Sequence, residues 1–259
     1  MALSQEQIES IENTIRSSLK NRFETYNPEP ATMPFHTRLL GKDRLALYAF
    51  IHSLNTNFGT SIFEPVAISL ASSRFKIAKK QTKSGTKISE KAQYEIQKIM
   101  DNLIAASNKP DKIKEIEIIR NVCQSGEMRN VKPTRVDIYL ESYTKEIFLI
   151  DLKTAKPNKG GFKEFKRTLL EWTATTLAEI PDAKINTLIA IPYNPYEPKP
   201  YSRWTMAGML DLENELKVAA EFWDFLGGKR AYFDLLNCFE KVGIEMREEI
   251  DVYFARFNK

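Results

Sequence analysis

The sequence has little of the material on which most hydrolytic chemistry is built. Its two histidines are His36 and His52, with no His-x-x-x-His spacing. Zinc hydrolysis and histidine-activated nucleophiles are thereby left without residues. Its two cysteines, Cys123 and Cys238, stand far apart. They cannot build a zinc cluster, and they do not suggest a disulfide framework. No apolar run is long enough to span a bilayer. The opening MALSQEQIESIENTIRSSLK spaces its apolar residues as a helix does and lacks the apolar centre of a secretory signal. A cytoplasmic protein with no membrane partner is therefore expected. There is no internal repeat, low-complexity tract or clean linker. Any hydrolytic chemistry would have to run on carboxylates, lysine and a hard metal ion.

What is present suits a folded, soluble chain. The 259 residues allow one large domain, or one domain with helical additions. Hydrophobic residues make up 42% and charged residues 28%, enough for a core under a polar surface. A net charge of +4 identifies no partner by itself, but its distribution does more. Residues 74–87 carry Arg74, Lys76, Lys79, Lys80, Lys83 and Lys87 and no acid. Residues 153–167 carry Lys153, Lys156, Lys159, Lys163, Lys166 and Arg167 against one acid, Glu164. Two such runs suggest a polyanion partner; a pair of solvated loops is the plain alternative.

Periodicity divides the chain. Ile8, Ile11, Ile15, Leu19 and Phe23 predict a helix over residues 4–25, opened by a Ser4–Gln7 capping box. Further helices are predicted over residues 42–56, from the segment GTSIFEPVAISLASS with Pro65 in its first turn, and over residues 88–106. KEIEIIRNV (114–122) alternates as a strand does. VDIYLESY and EIFLIDLKT predict a hairpin turning near residues 142–145. A helix over 162–178 then leads to a buried central strand at 185–193, which implies a crossover. Residues 192–204 predict an irregular exposed loop. DLENELKVAAEFWDFLGG predicts a helix stopping at Gly227-Gly228, with two short helices after it. The expected fold class is α/β, a mixed central β-sheet flanked by helices. Within one compact domain, residues 1–110 form a mainly helical part, 111–205 an α/β core and 206–259 a helical end.

The chemistry concentrates in RVDIYLESYTKEIFLIDLKTAKP, residues 135–157. Asp137 lies near the start of the first hairpin strand and Asp151 near the end of the second. An antiparallel pairing brings those ends together. Alternation along the second strand puts Lys153 on the face of Asp151. Leu152 then points into the core, leaving its carbonyl as a further oxygen ligand. Phosphodiester hydrolysis needs a positioned water, charge neutralisation at the phosphate and help for the leaving oxygen. A hard ion such as Mg²⁺, held on carboxylate and backbone oxygens, serves all three. Taken alone, Asp…Asp-x-Lys arises often by chance, and solvent-facing charges at a strand end explain it as simply.

An aspartate, a spacer and then (Asp/Glu)-x-Lys on the next strand resembles the signature of the PD-(D/E)XK nuclease superfamily. Here it stands as VDIYL…IDLK, with Val136 where that signature has proline. GTSIFEPVA, this central motif, and EFWDFLGG…YFDLLNCFEKVGIEMREEID together resemble the TdeIII-like and MjaII-like group of type II restriction endonucleases over most of the chain. The resemblance implies the restriction-endonuclease-like fold. It also implies a Mg²⁺-dependent homodimer, with Mn²⁺ able to substitute, cutting double-stranded DNA at a short GC-rich palindrome such as GGNCC. A cognate DNA methyltransferase would belong to the same system without a stable complex.

On this resemblance Asp137 and Asp151 hold the metal with the Leu152 carbonyl, and Lys153 orients the water. Glu64 reads either as an extra acid feeding the site or as a helix-start acid on the dipole. Glu95 is a second candidate for that extra acid, or a solvated helix residue. Lys156, Lys159, Lys163, Lys166 and Arg167 are expected on phosphates. Gly160-Gly161 either lets the backbone approach DNA or begins the helix. Asn194, Lys199 and Arg203 are the candidates for base contacts, while Tyr193, Tyr196, Tyr201 and Trp204 pack their loop down. The other readings are a structure-selective repair or junction nuclease on the same fold, a DNA-binding protein without catalysis, and a helical protein with a solvated strand end.

Overall fold

Ser4 opens the first helix as its spacing to Gln7 predicts. Ser4 Oγ accepts from Gln7 N at 3.2 Å, and Gln7 Oε1 accepts from Ser4 N at 3.0 Å. The computed structural model describes residues 3–27, 33–157, 161–202, 206 and 208–256. In chain order it runs α1 (Gln5–Thr25), α2 (Pro34–Leu40), α3 (Lys42–Phe58), a π-helical turn (Gly59–Phe63) and α4 (Glu64–Ala71). Next come β1 (Ile77–Lys83), β2 (Lys87–Ser89), α5 (Glu90–Ile104), α6 (Lys112–Arg120), β3 (Met128–Asn130), β4 (Arg135–Glu141) and β5 (Glu146–Leu152). The chain closes with α7 (Phe162–Glu179), β6 (Lys184–Ile191), β7 (Leu216–Val218), α8 (Ala220–Gly227), α9 (Ala231–Glu245) and α10 (Arg247–Ala255).

The strands make one mixed sheet in the order β1-β4-β5-β6-β7, with β2 and β3 paired in a separate ribbon. β1, β4 and β5 run antiparallel to one another in turn, and β5, β6 and β7 run parallel. α7 carries the chain from β5 to its parallel neighbour β6, the crossover that the strand–helix–strand pattern implies. β6 is buried on both faces, through Ile185, Leu188, Ile189, Ala190 and Ile191, which is why it reads as a continuous apolar run. Leu149 and Ile189 meet α5, α6 and α7 on one face of the sheet. Ile138, Leu140 and Ile150 meet α1, α4, α8 and α9 on the other. The expected fold class, a mixed sheet between helical layers with helical ends, is the observed one. No helix among the described residues is long and apolar enough to cross a membrane.

Several elements differ from their sequence expectation. Residues 114–122 fall mostly within α6 and form no strand. Asp111 caps it, accepting from Lys114 N at 3.0 Å. Its inward face is Lys112, Glu115 and Ile119; charged residues hold the helical spacing, so the alternating isoleucines suggested a strand. The first basic run is the edge strand β1 rather than a loop, with Lys79, Lys80 and Lys83 exposed. Lysines on an edge strand guard it against pairing with other chains. Residues 216–218, expected in a helix, are β7, and the helix begins only at α8.

Candidate active site

The β4–β5 ladder pairs Ile138 with Ile150 and Tyr139 with Leu149. Continuing that register sets Asp137 opposite Asp151. A further bond fixes the junction: Leu152 N donates to Asp137 Oδ2 at 2.9 Å. Beyond Leu152, Lys153 N donates to Ala190 O at 2.9 Å, which ties the lysine backbone to β6. Leu152 packs its side chain into the core on the α4 and α8 side. Asp151 and Lys153 therefore leave the opposite face, as alternation requires.

The three side chains do converge. Lys153 Nζ lies 2.8 Å from Asp151 Oδ1. Asp151 is only 8% exposed, and this burial pushes its carboxyl up to about 6. The Lys153 charge works against that rise, and the nearby Asp137 carboxylate adds to it. Two facing acids in a partly dry site repel each other, and a cation relieves that repulsion.

Glu64 starts α4 where the π-helical turn ends, and it is 2% exposed. Arg135 binds it to the site: its guanidinium lies 3.4 Å from Glu64 Oε1 and 3.3 Å from Asp137 Oδ1. Gln81 Nε2 donates to the other Glu64 oxygen. Burial raises the Glu64 carboxyl; the Gln81 bond opposes this and the Asp137 charge reinforces it. Gln81 lies within β1 at a left-handed φ of 56°. The β1–β4 pairing skips it, between Lys80↔Ile138 and Thr82↔Val136. A side chain in that conformation stores strain of order 1–2 kcal/mol, a feature that concentrates at functional sites.

Arg135 and Gln81 are the site residues that sequence reasoning missed. Arg135 directly precedes the VDIYL segment, and its position two residues before Asp137 on one strand face was the available signal. Gln81 was hidden inside a basic run. A cleft of about 190 Å³ opens beside these groups, lined by Asn55, Thr60, Glu64, Arg135, Asp137 and Lys153 among others. π-helical turns such as the one on its wall recur at functional sites. Among the described residues no group of three His, Cys, Asp or Glu side chains is gathered closely enough to hold a metal by itself. What faces the site is the carboxylate pair of Asp137 and Asp151, oxygen donors of the kind a hard ion takes while keeping part of its water shell.

The outer candidates divide. Lys156 and Lys163 are exposed, and Lys156 Nζ sits 5.5 Å from the centre of the Tyr196 ring. Arg167 is half-buried, donating to Gln97 Oε1 at 2.8 Å. Lys166 leaves the phosphate-contact group altogether. It is 0% exposed, with Nζ 2.5 Å from Glu115 Oε2 and 2.7 Å from Glu215 Oε2. Its spacing from Phe162 and Leu169 places it on the inner face of α7, a signal that the neighbouring basic residues obscured. Glu95 pairs with Lys98 at 3.6 Å on α5, away from the carboxylate pair.

In the loop after β6, Asn194 spends its amide on the loop itself. It donates to Lys199 O at 2.7 Å and accepts from Tyr196 N at 3.0 Å. Lys199 is exposed. Tyr201 donates to Ala155 O at 3.1 Å and packs against Tyr196, as expected of ring residues that hold the loop down. Tyr193 instead stays exposed. Lys159, Gly160, Arg203 and Trp204 lie outside the described residues.

Comparison with known proteins finds relatives over most of the chain. Residues 3–243 match the family model described as type II restriction endonuclease, HinfI. The chain is 28% identical to the type II restriction enzyme MjaII of Methanocaldococcus jannaschii, over 97% of this chain and 74% of that protein. It is 24% identical to HgiCII and 25% identical to HgiEI, both type II restriction enzymes of Herpetosiphon aurantiacus. Each alignment covers 84% of this chain, with 80% of HgiCII and 79% of HgiEI.

Proposed function

The chain belongs to the HinfI family of type II restriction endonucleases, and from that premise we propose a Mg²⁺-dependent, site-specific cut of double-stranded DNA carried by Asp137, Asp151 and Lys153. The observation that carries this reading is the convergence of those side chains where β4 and β5 meet. Asp137 and Asp151 would hold the ion with the Leu152 carbonyl. Bound there, Mg²⁺ (or Mn²⁺) supplies charge neutralisation at the phosphate and acidifies water.

The chain's own residues do the rest. The Leu152 N–H keeps Asp137 turned toward Asp151. The Lys153 ammonium donates to the attacking water and to the phosphate oxygens as charge builds on them. Glu64, through Arg135, holds Asp137 from behind, which makes it a supporting acid. Arg135 is half-exposed at the cleft and offers a planar donor fork to a phosphate. Lys156, Lys163 and Arg167 contact the DNA backbone, and Lys159 is assigned the same task. Lys199 and Arg203 are the base-contact candidates, while Asn194, its amide engaged within the loop, shapes that loop instead.

We further infer a homodimer, because a two-fold protein matches a palindrome and delivers one site to each strand. Exposed Phe233, Leu236 and Ile244 on α9 support such an interface. The recognition sequence we propose, a short GC-rich palindrome such as GGNCC, rests on the resemblance to the MjaII-like group. The place of action is the cytoplasm, with a cognate methyltransferase protecting host sites and forming no stable complex.

Digestion of a fully sequenced plasmid with Mg²⁺, followed by mapping of the fragment ends, tests the cleavage and its recognition sequence. Discrete fragments are expected from the parent, and none from Asp151→Ala or Lys153→Ala. Unchanged cutting by both variants would remove the mechanism. Intact linear duplex beside cleaved branched DNA would instead mark a structure-selective nuclease. Salt-sensitive binding with no cutting would mark a non-catalytic binder.

A further inference from the structure

A lysine stem has four rotatable carbons, so an ammonium that must meet a phosphate within a few tenths of an ångström needs a seat. Lys153 has one besides Asp151. Its Nζ lies over the Phe165 ring, 4.6 Å from the ring centre. We propose that Phe165, seated on Gly161, is a positioning residue for Lys153. The proposal rests on the nuclease function given above and adds a residue and a reason to it.

Three features hold that ring in place. Phe162 meets it edge-on, with centres 5.8 Å apart and planes at 81°. Gly161 lies directly against it: a Cβ on Gly161 would stand 2.8 Å from Phe165 Cζ and 3.2 Å from Cε1. The backbone does not call for glycine here, since φ is −79°; the ring does. The next residue, Lys166, is the buried one whose Nζ is clamped by Glu115 and Glu215. The first turn of α7 is thus pinned from inside while Phe165 faces the site.

An aromatic face suits this task better than another acid. It attracts the ammonium through the ring quadrupole without taking a proton or occupying its N–H donors. The Lys153 N–H groups are thereby left for water and phosphate. The ring contact also persists when the Asp151 oxygens are engaged elsewhere. A leucine at 165 would fill similar space and supply no such attraction.

The test is kinetic, on the full-length protein, with Mg²⁺ and a duplex containing the site mapped on the plasmid. Phe165→Leu is expected to lower kcat about tenfold with KM unchanged. Phenylalanines carrying one, two and three ring fluorines at 165 drain the quadrupole and barely alter shape, so kcat should fall stepwise while Tm holds. Gly161→Ala forces the ring aside and should lower kcat at some cost in Tm, so the fluorine series, which leaves the packing alone, is the deciding arm. A flat fluorine series, or parental kcat in Phe165→Leu, overturns the proposal. Should Phe165→Leu lose both Tm and kcat, the fluorine series decides. Lys153→Ala runs alongside. Full activity there sinks the role of the lysine itself, whereas an inactive Lys153→Ala beside a fully active Phe165→Leu sinks only the positioning role.

Discussion

At the scale of single residues, identical side chains a few positions apart do opposite work. Lys163 is solvated, while Lys166 is sealed between Glu115 and Glu215. Lys112 joins the same buried group, 3.3 Å from Glu215 Oε1 and donating to Thr187 Oγ1. Two lysines thus face two acids, and burial pulls their proton affinities in opposite directions, lowering Lys112 and raising Glu115. Removing one member leaves its partners charged and dry. Lys166→Ala is therefore expected to cost about 3–5 kcal/mol. It would be read as a lower urea midpoint at unchanged m-value; a loss below about 1 kcal/mol would contradict burial of the pair. The approach of Asp137, Asp151 and Lys153 was legible because a predicted hairpin pairs the two acids and strand alternation puts the lysine on the face of the second. Arg135 and Gln81 were not, because their role comes from Glu64, a residue on another element.

At the scale of elements, capping decided what alternation could not. In α6 the isoleucines at 116 and 118 resemble a strand, yet Asp111 closes the first turn and Glu115 reaches back toward Asp111 N at 3.4 Å. Asp111→Ala should destabilise the protein by about 0.5–2 kcal/mol. Urea denaturation followed by circular dichroism measures it, with Asp111→Asn restoring most of the loss. An alanine variant as stable as the parent would mean that the cap does not hold this helix. α7 was read within one residue of its end because its apolar stripe is long and regular. β7, at three residues, is too short to carry a period.

At the scale of the whole molecule, the sheet and its helical layers bring a modest excess of positive charge to bear near one acidic site. Counter-ion release predicts that DNA affinity without Mg²⁺ falls steeply between about 50 and 200 mM salt. Replacing both Lys156 and Lys163 by alanine should flatten the log–log slope by about 2, for two lost phosphate contacts. Fluorescence anisotropy across a salt series reads this, and an unchanged slope would take both lysines off the DNA. Trp223 shows how the layers support the site: its Nε1 donates to Pro192 O at 2.7 Å, joining α8 to the end of β6, where the Lys153 backbone is also tied.

By itself the sequence determined the hairpin, its acidic pair and lysine, the long amphipathic helices and the buried central strand. Each of these follows from a period of 2.0 or 3.6 within one segment, or from pairing two strands adjacent in sequence. Tertiary structure alone decided that Lys166 turns inward, that the first basic run becomes an edge strand, and that Arg135 bridges Glu64 to Asp137. Those outcomes depend on which surfaces meet across the chain, and the charge or burial of a residue is set by its neighbours in space as much as by its neighbours in sequence.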